Sequence, residues 1–257
     1  MYRKKRNTET LLAQIGEIFK VRLPEVTLVV VFQTGLMVLL DRVMVRSGLH
    51  SSQPPAMPNW AMFVLGLGCM SLAIVWQMLY LGFLRTSATD GAAPQEPSTL
   101  LKTGRPYFWR ILGVQIVIGL ATWVIVGVLI LLIAALSGRQ LDALPDWLMT
   151  LLPIIAIVLL IKPVFLIPSF ILVLDYKAND AFQTMRQVRL SNLGVLPGLY
   201  GLGLAALAGM GFLVSLAPQA GAMYYIAQAA GHLIQSLIFL TLMLATVLFI
   251  ALETEKR

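Results

Sequence analysis

The chain has 257 residues, of which 58% are hydrophobic and only 12% are charged, and its formal net charge is +7. A soluble domain carries about 25% charged residues, so this composition excludes an ordinary water-soluble enzyme, and it is also far too apolar for a disordered chain. We therefore expect an integral membrane protein, in which the excess of basic residues bears on membrane orientation rather than on nucleic-acid binding.

The apolar residues are concentrated in six blocks, each long enough to cross a membrane as a helix. A helix needs about 20 mostly apolar residues to cross the roughly 30 Å hydrocarbon layer, whereas barrel strands alternate polar and apolar residues over about ten positions. The sequence therefore predicts an all-α fold, a single six-span membrane domain over residues 1–257. The predicted spans are 24–44, 60–84, 110–136, 147–173, 193–216 and 231–251.

An amphipathic segment precedes each odd-numbered span. In residues 8–23 apolar side chains recur at helical spacing on one face, residues 178–190 show the same pattern, and residues 98–110 form a shorter copy. Such helices are typical of the membrane interface, with the apolar face toward lipid. Two interpretations stay open: juxtamembrane linkers, or a threefold parallel repeat of amphipathic helix plus hairpin. The repeat units would be 8–84, 97–173 and 178–251.

Lysine and arginine are unevenly distributed between alternate connections. With a cytoplasmic N-terminus, fifteen of the 19 lie in inner segments, three lie in outer segments, and Lys162 lies within the fourth span. Because short cytoplasmic loops are enriched in Lys and Arg, we expect a multi-pass protein of the bacterial cytoplasmic (inner) membrane with both termini in the cytoplasm. The inner connection 86–99 is rich in Ala, Thr, Ser and Pro, which predicts a flexible linker.

Several stretches resemble a family of six-span bacterial inner-membrane proteins. They are KPVFLIP at 162–168, VLD at 173–175, DAFQT at 180–184, VR at 188–189 and FWR at 108–110. That family includes the YciC-like proteins and the membrane domain fused to some glycerophosphodiester phosphodiesterases. The resemblance implies a six-span helical fold, a basic residue within the fourth span, and a role in envelope or lipid homeostasis. The catalysis of the fused members does not carry over, because their soluble domain has no counterpart in these 257 residues.

Residues suited to catalysis or metal binding are scarce. The two histidines, His50 and His232, both map to the outer side, and no HExxH, paired-cysteine or Walker motif occurs. No acidic residue lies deep within a predicted span, although proton-coupled transporters usually carry a buried carboxylate or histidine there. We therefore expect no enzymatic activity, no metal and no cofactor, and we interpret His232 as an interfacial polar residue.

Lys162 is the most informative single residue, because a charge near mid-bilayer costs about 2.5–3.5 kcal/mol on insertion scales. Two interpretations stay open: its stem snorkels to the inner interface, or its ammonium group lines a cavity. The candidate neighbours in that cavity are Gln33, Gln77 and Gln115. Together with Lys162 they form the predicted ligand-binding site, for an anionic lipid headgroup or a substrate phosphate.

The fifth span carries small residues four apart, at Gly194 and Gly198 and at Gly201, Ala205 and Gly209. Small residues let helix backbones approach closely. The stripe therefore indicates close packing, either inside the bundle or between two copies in a homo-oligomer.

The leading functional hypothesis is a non-enzymatic inner-membrane protein that contacts membrane lipids, in particular anionic ones, through its basic inner segments. Each basic residue near an anionic leaflet contributes about 1 kcal/mol of attraction. The expected role is envelope or lipid homeostasis. The alternative is a transporter or permease component for an amphiphilic or phosphate-bearing solute, although a parallel repeat differs from the inverted repeats common in secondary transporters.

Overall fold

The structure, a computed structural model, describes residues 2–46, 59–137, 155, 158–189, 193–215 and 222–254. Within these ranges it contains eight helices and no strand, which confirms the predicted all-helical fold for the described part of the chain. The helices are α1 (Tyr2–Val21), α2 (Leu23–Arg46), α3 (Asn59–Thr89), α4 (Pro97–Ser137), α5 (Ile161–Leu174), α6 (Ala178–Gln187), α7 (Leu196–Ser215) and α8 (Ala222–Thr254).

Five stretches of helix are long and apolar enough to cross a membrane, which is consistent with a membrane protein. They are Leu23–Val43, Phe63–Thr89, Pro97–Ile133, Leu196–Val214 and Met223–Thr254. These correspond to the first, second, third, fifth and sixth predicted spans.

The fourth predicted span, 147–173, is described only in part. Its described helix, α5, has 14 residues, fewer than the about 20 that a full crossing needs. Residues 147–154 lie outside the described residues. The count of six spans therefore stays a prediction.

The expectation of a flexible linker at 86–99 is wrong for half of that segment. The helix α3 continues to Thr89, and α4 already begins at Pro97. Between them, Gly91 adopts a positive φ of 64°, a conformation that glycine reaches without a steric penalty. The connection is therefore a short turn that joins α3 and α4 into a hairpin.

This hairpin depends on backbone contact between α3 and α4. A Cβ atom added at Gly82 would lie 1.9 Å from the carbonyl oxygen of Leu100, and one added at Gly104 would lie 1.9 Å from that of Met78. Only glycine permits such an approach, since any larger residue would place an atom inside the neighbouring backbone. The two glycines therefore set the distance between these helices.

The amphipathic segments bury part of their apolar faces in the protein. On α1, Leu11, Ile15 and Ile18 are buried in the hydrophobic core, and on α6 Ala181 and Met185 are buried. Their burial stabilises the bundle, because α1 packs on α8 and α6 packs on α5. On the same faces Leu12 and Phe182 are exposed, so the placement of these helices at the membrane interface stays a prediction.

The three proposed repeat units differ in how the amphipathic segment joins its span. The helix α1 is separated from α2 by Arg22 alone, α4 is one continuous helix through Pro106, and α6 is a separate helix that ends at Gln187. The described residues therefore give no local similarity between the units, and the threefold repeat stays a prediction.

The helix α8 is the centre of the bundle, since it packs against α1, α2, α3, α5 and α7. On the neighbouring α7, a Cβ atom at Gly203 would lie 2.7 Å from Leu242 Cδ1, so α7 approaches α8 at this residue. At Gly198, Gly201 and Gly209 a Cβ atom would meet no described atom within 4 Å. Most of the small-residue stripe of α7 therefore faces outward.

Candidate functional site

Lys162 lies in the first turn of α5, and its ammonium group has a partner inside the protein. Its Nζ donates a hydrogen bond of 2.7 Å to the carbonyl oxygen of Val188, the residue that caps the C-terminal end of α6. Carbonyl groups at a helix C-terminus lack intrahelical donors and carry partial negative charge. Lys162 therefore ties the end of α6 to the beginning of α5.

The structure brings together only two of the residues predicted to surround Lys162. Gln77 Nε2 donates to Gln115 Oε1 over 2.7 Å, which joins α3 to α4. Gln33 is buried on α2, whereas Gln115 is exposed on α4. Among the described hydrogen bonds, none links Lys162 to a glutamine, so a shared ligand site at these four residues stays a prediction.

Arg22, at the junction of α1 and α2, is the most buried charged residue of the described chain. Its guanidinium forms an ion pair with Glu25 and donates to Ser87 Oγ and to Thr86 Oγ1, each over 2.9 Å. It also lies 4.6 Å from the centre of the Phe83 ring. A buried charge is tolerated only when it is paired and hydrogen-bonded, and both conditions are met.

The local sequence favours the start of a new helix directly after Arg22. Pro24 lies in the first turn of α2, a position that proline favours because it needs no hydrogen-bond donor there. Glu25 follows one residue later, and its Oε1 accepts the backbone N–H of Gln95 over 2.6 Å. The ion pair therefore fastens the α1–α2 junction to the turn between α3 and α4.

Two further arginines hold the C-terminal end of α5. Arg85 of α3 donates to the carbonyl oxygens of Leu172 and Val173, and Arg110 of α4 forms an ion pair of 2.6 Å with Asp175. Asp175 has a left-handed φ of 53° that ends the helix. Cations at a helix C-terminus offset its unpaired carbonyl groups, so these arginines have structural roles.

Several further bases in the described part of the chain are exposed at this end of the molecule. Two aromatic side chains lie among them, Trp109 with 72% and Phe182 with 45% of the residue exposed. Beside Lys20 of α1, five exposed bases lie on α4 or next to or within α6, and we call these five the basic rim: Lys102, Arg105, Lys177, Arg186 and Arg189.

A second polar cluster lies at the other end of α2. Asp41 Oδ2 accepts from Gln228 Nε2 over 2.6 Å and lies 2.6 Å from His232 Nε2. The helix α8 begins at Ala222, whereas the sixth span was predicted to begin at residue 231. His232 therefore lies ten residues beyond the beginning of α8, and its interpretation as an interfacial residue stays a prediction.

This cluster adjoins a cavity of about 400 Å³ between α7 and α8. Its walls are mostly apolar, and the polar groups that line it, Tyr224, Gln228, His232 and Gln235, all come from α8. Among the described residues, no three His, Cys, Asp or Glu side chains come together as a candidate metal site.

Sequence reasoning missed both clusters, for different reasons. Arg22 and Glu25 are three residues apart, a spacing at which helical side chains meet, so that pair carried a usable signal. Asp41 and His232 are 191 residues apart, and no local pattern predicts their contact.

The chain matches no known protein-family model, no curated protein and no solved structure. The resemblance to the six-span inner-membrane family therefore stays a hypothesis.

Proposed function

We propose that this is a non-enzymatic protein of the bacterial inner membrane that binds anionic lipids through its basic rim and acts in envelope or lipid homeostasis. The observation that supports this proposal best is that the basic residues at this end of the molecule form two groups. Arg22, Arg85 and Arg110 each bind groups of the protein, Arg110 at an exposed position, whereas the five bases of the rim are exposed.

The surroundings of the rim favour a membrane surface over a soluble partner. Trp109 is 72% exposed one residue before Arg110, and tryptophan is enriched at the membrane–water interface. Phe182 is exposed on α6, with the guanidinium of Arg186 lying 6.0 Å from its ring centre. An apolar side chain beside a base matches the boundary between acyl chains and anionic headgroups.

The proposed orientation places the rim on the cytoplasmic side. The inner leaflet carries anionic lipids whose attraction for each nearby base is worth about 1 kcal/mol. The bias of Lys and Arg toward one set of connections supports the same orientation, with both termini in the cytoplasm.

The test is lipid selectivity of the purified protein in bilayer nanodiscs that contain phosphatidylcholine and phosphatidylglycerol, read by native mass spectrometry of the retained lipids. A rim variant combines Lys102→Gln, Arg105→Gln, Arg186→Gln and Arg189→Gln. The matched control combines Gln183→Ala and Gln187→Ala, which are exposed positions of α6 without charge.

We expect wild type and control to retain phosphatidylglycerol at least tenfold over phosphatidylcholine, and the rim variant to lose most of that preference without loss of thermal stability. Four bases at about 1 kcal/mol each exceed the 1.4 kcal/mol that a tenfold preference requires. Absence of a preference in wild type, or an unchanged preference in the rim variant, would refute the proposal.

A further inference from the structure

The cavity between α7 and α8 lies far from the basic rim. Along α2, Asp41 is sixteen residues beyond Glu25, which corresponds to about 24 Å at 1.5 Å per residue. The cavity is bounded by two helices that are long and apolar enough to span a membrane. A cavity between two such helices suits an apolar or amphiphilic ligand.

The two walls of the cavity differ in chemistry. The α7 wall is apolar and includes Leu204, Leu207, Met210 and Val214, whereas the α8 wall supplies the four polar side chains. Its volume of about 400 Å³ lies at the lower end of the range of small-molecule pockets, roughly 300–1,000 Å³. The space suits one acyl chain better than the two chains of a phospholipid.

Asp41 favours one tautomer of the His232 imidazole at this cavity. A carboxylate that faces His232 Nε2 over 2.6 Å favours the tautomer with the proton on Nε2. In that tautomer the other ring nitrogen, Nδ1, is an acceptor of a hydrogen bond.

The other charged and titratable groups nearby are few among the described residues. On α2, Arg42 lies with its guanidinium 3.4 Å from the ring centre of Tyr225. On α8, Tyr224 lines the cavity, and α7 contributes only apolar side chains and glycine to it. Among the described lining residues, His232 therefore supplies the imidazole acceptor, beside the side-chain amides of Gln228 and Gln235.

We propose that this cavity binds a single-chain acidic amphiphile of the fatty-acid class. The acyl chain lies along the α7 wall, and the carboxyl group meets His232, Gln228 and Gln235. The O–H of the carboxylic acid donates a hydrogen bond to Nδ1 of the imidazole, whose Nε2–H donates to Asp41. A methyl ester has no O–H to donate.

Substitution of two glycines of α7 tests directly whether the ligand occupies this cavity. A Cβ atom at Gly211, which lines the cavity, would meet nothing within 4 Å, so Gly211→Leu fills the space without a backbone clash. Gly209 on the same helix has equally open surroundings and is not among the lining residues, so Gly209→Leu is the matched control.

The experiment uses the full chain in nanodiscs and a C16 fatty acid that carries a photoactivatable diazirine. We expect saturable labelling of peptides from α7 or α8, competed by palmitic acid at least tenfold better than by its methyl ester. Gly211→Leu should lower labelling at least tenfold, and Gly209→Leu should leave it unchanged. His232→Phe should remove the preference for acid over ester.

Three results would overturn the assignment. They are labelling that is not saturable, equal competition by acid and ester in wild type, and competition by phosphatidylglycerol as strong as by palmitic acid. The comparison of acid and ester needs no variant, so it decides the headgroup chemistry even if a substitution prevents folding. Because the rim variant is not involved, this test and that of the proposed function fail independently.

Discussion

The guanidinium of Arg22 donates a hydrogen bond to Ser87 Oγ over 2.9 Å, although 65 residues separate them along the chain. Arg22 is fully buried, and its ion pair with Glu25 completes the contact. One charged pair therefore joins the α1–α2 junction to the end of α3. The bases at this end of the molecule are accordingly of two kinds, those that hold the fold and those that face the surroundings.

The Arg22 pair predicts a large loss of stability when one partner is removed. We expect Arg22→Met to lower the free energy of unfolding by about 3–5 kcal/mol, because Glu25 is left buried without a counter-charge. The double variant Arg22→Met with Glu25→Met should recover part of this loss. Unfolding by increasing fractions of sodium dodecyl sulfate measures the free energy of unfolding of both variants. The exposed neighbour Lys20→Met is the control and should change stability by less than about 0.5 kcal/mol.

The contact between α3 and α4 predicts that Gly104 accepts no side chain. Gly104→Ala places a Cβ atom 1.9 Å from the carbonyl oxygen of Met78, so we expect a loss of about 3 kcal/mol as the helices separate. Gly113→Ala on the same helix meets no atom within 4 Å and should be neutral or stabilising by up to about 1 kcal/mol. Thermal unfolding of the two variants checks this contrast, and equal stabilities would contradict it.

The hydrogen bond from Lys162 to the Val188 carbonyl oxygen predicts that Lys162 contributes to the stability of the fold. We expect Lys162→Met to lower stability by about 1.5–3 kcal/mol, the usual worth of a hydrogen bond to a charged group, while the lipids that co-purify stay unchanged. Native mass spectrometry combined with thermal unfolding separates the two effects. Loss of a defined anionic lipid at unchanged stability would instead support the ligand site predicted at Lys162, Gln33, Gln77 and Gln115.

The glycines on the two faces of α7 differ in the space around them, so we expect their substitution to have different effects on stability. Gly203→Leu should destabilise the fold by about 1–3 kcal/mol, because its side chain meets Leu242 on α8. Gly201→Leu points into open space and should leave thermal stability unchanged. Light scattering of the Gly201 variant in detergent tests the homo-oligomer proposed through the fifth span, which predicts a shift to smaller species.

Much of the architecture follows from the sequence by itself. Hydropathy predicted the long helices, because the thickness of the hydrocarbon layer demands about 20 apolar residues wherever the chain crosses. Helical periodicity identified the buried side of α1, where Leu11, Ile15 and Ile18 share one face. Both signals are local, so a single sequence carries them in full.

The partners of the polar residues were decided only by the tertiary structure. Asp41 with His232, Lys162 with Val188 and Arg22 with Ser87 are contacts between distant parts of the chain. They depend on how each helix is rotated and how far it extends along its neighbour. Hydropathy is nearly insensitive to both, since a helix in lipid is apolar on most of its faces. The presence of long apolar helices is thus a property of composition, while the contacts of the polar residues are a property of packing.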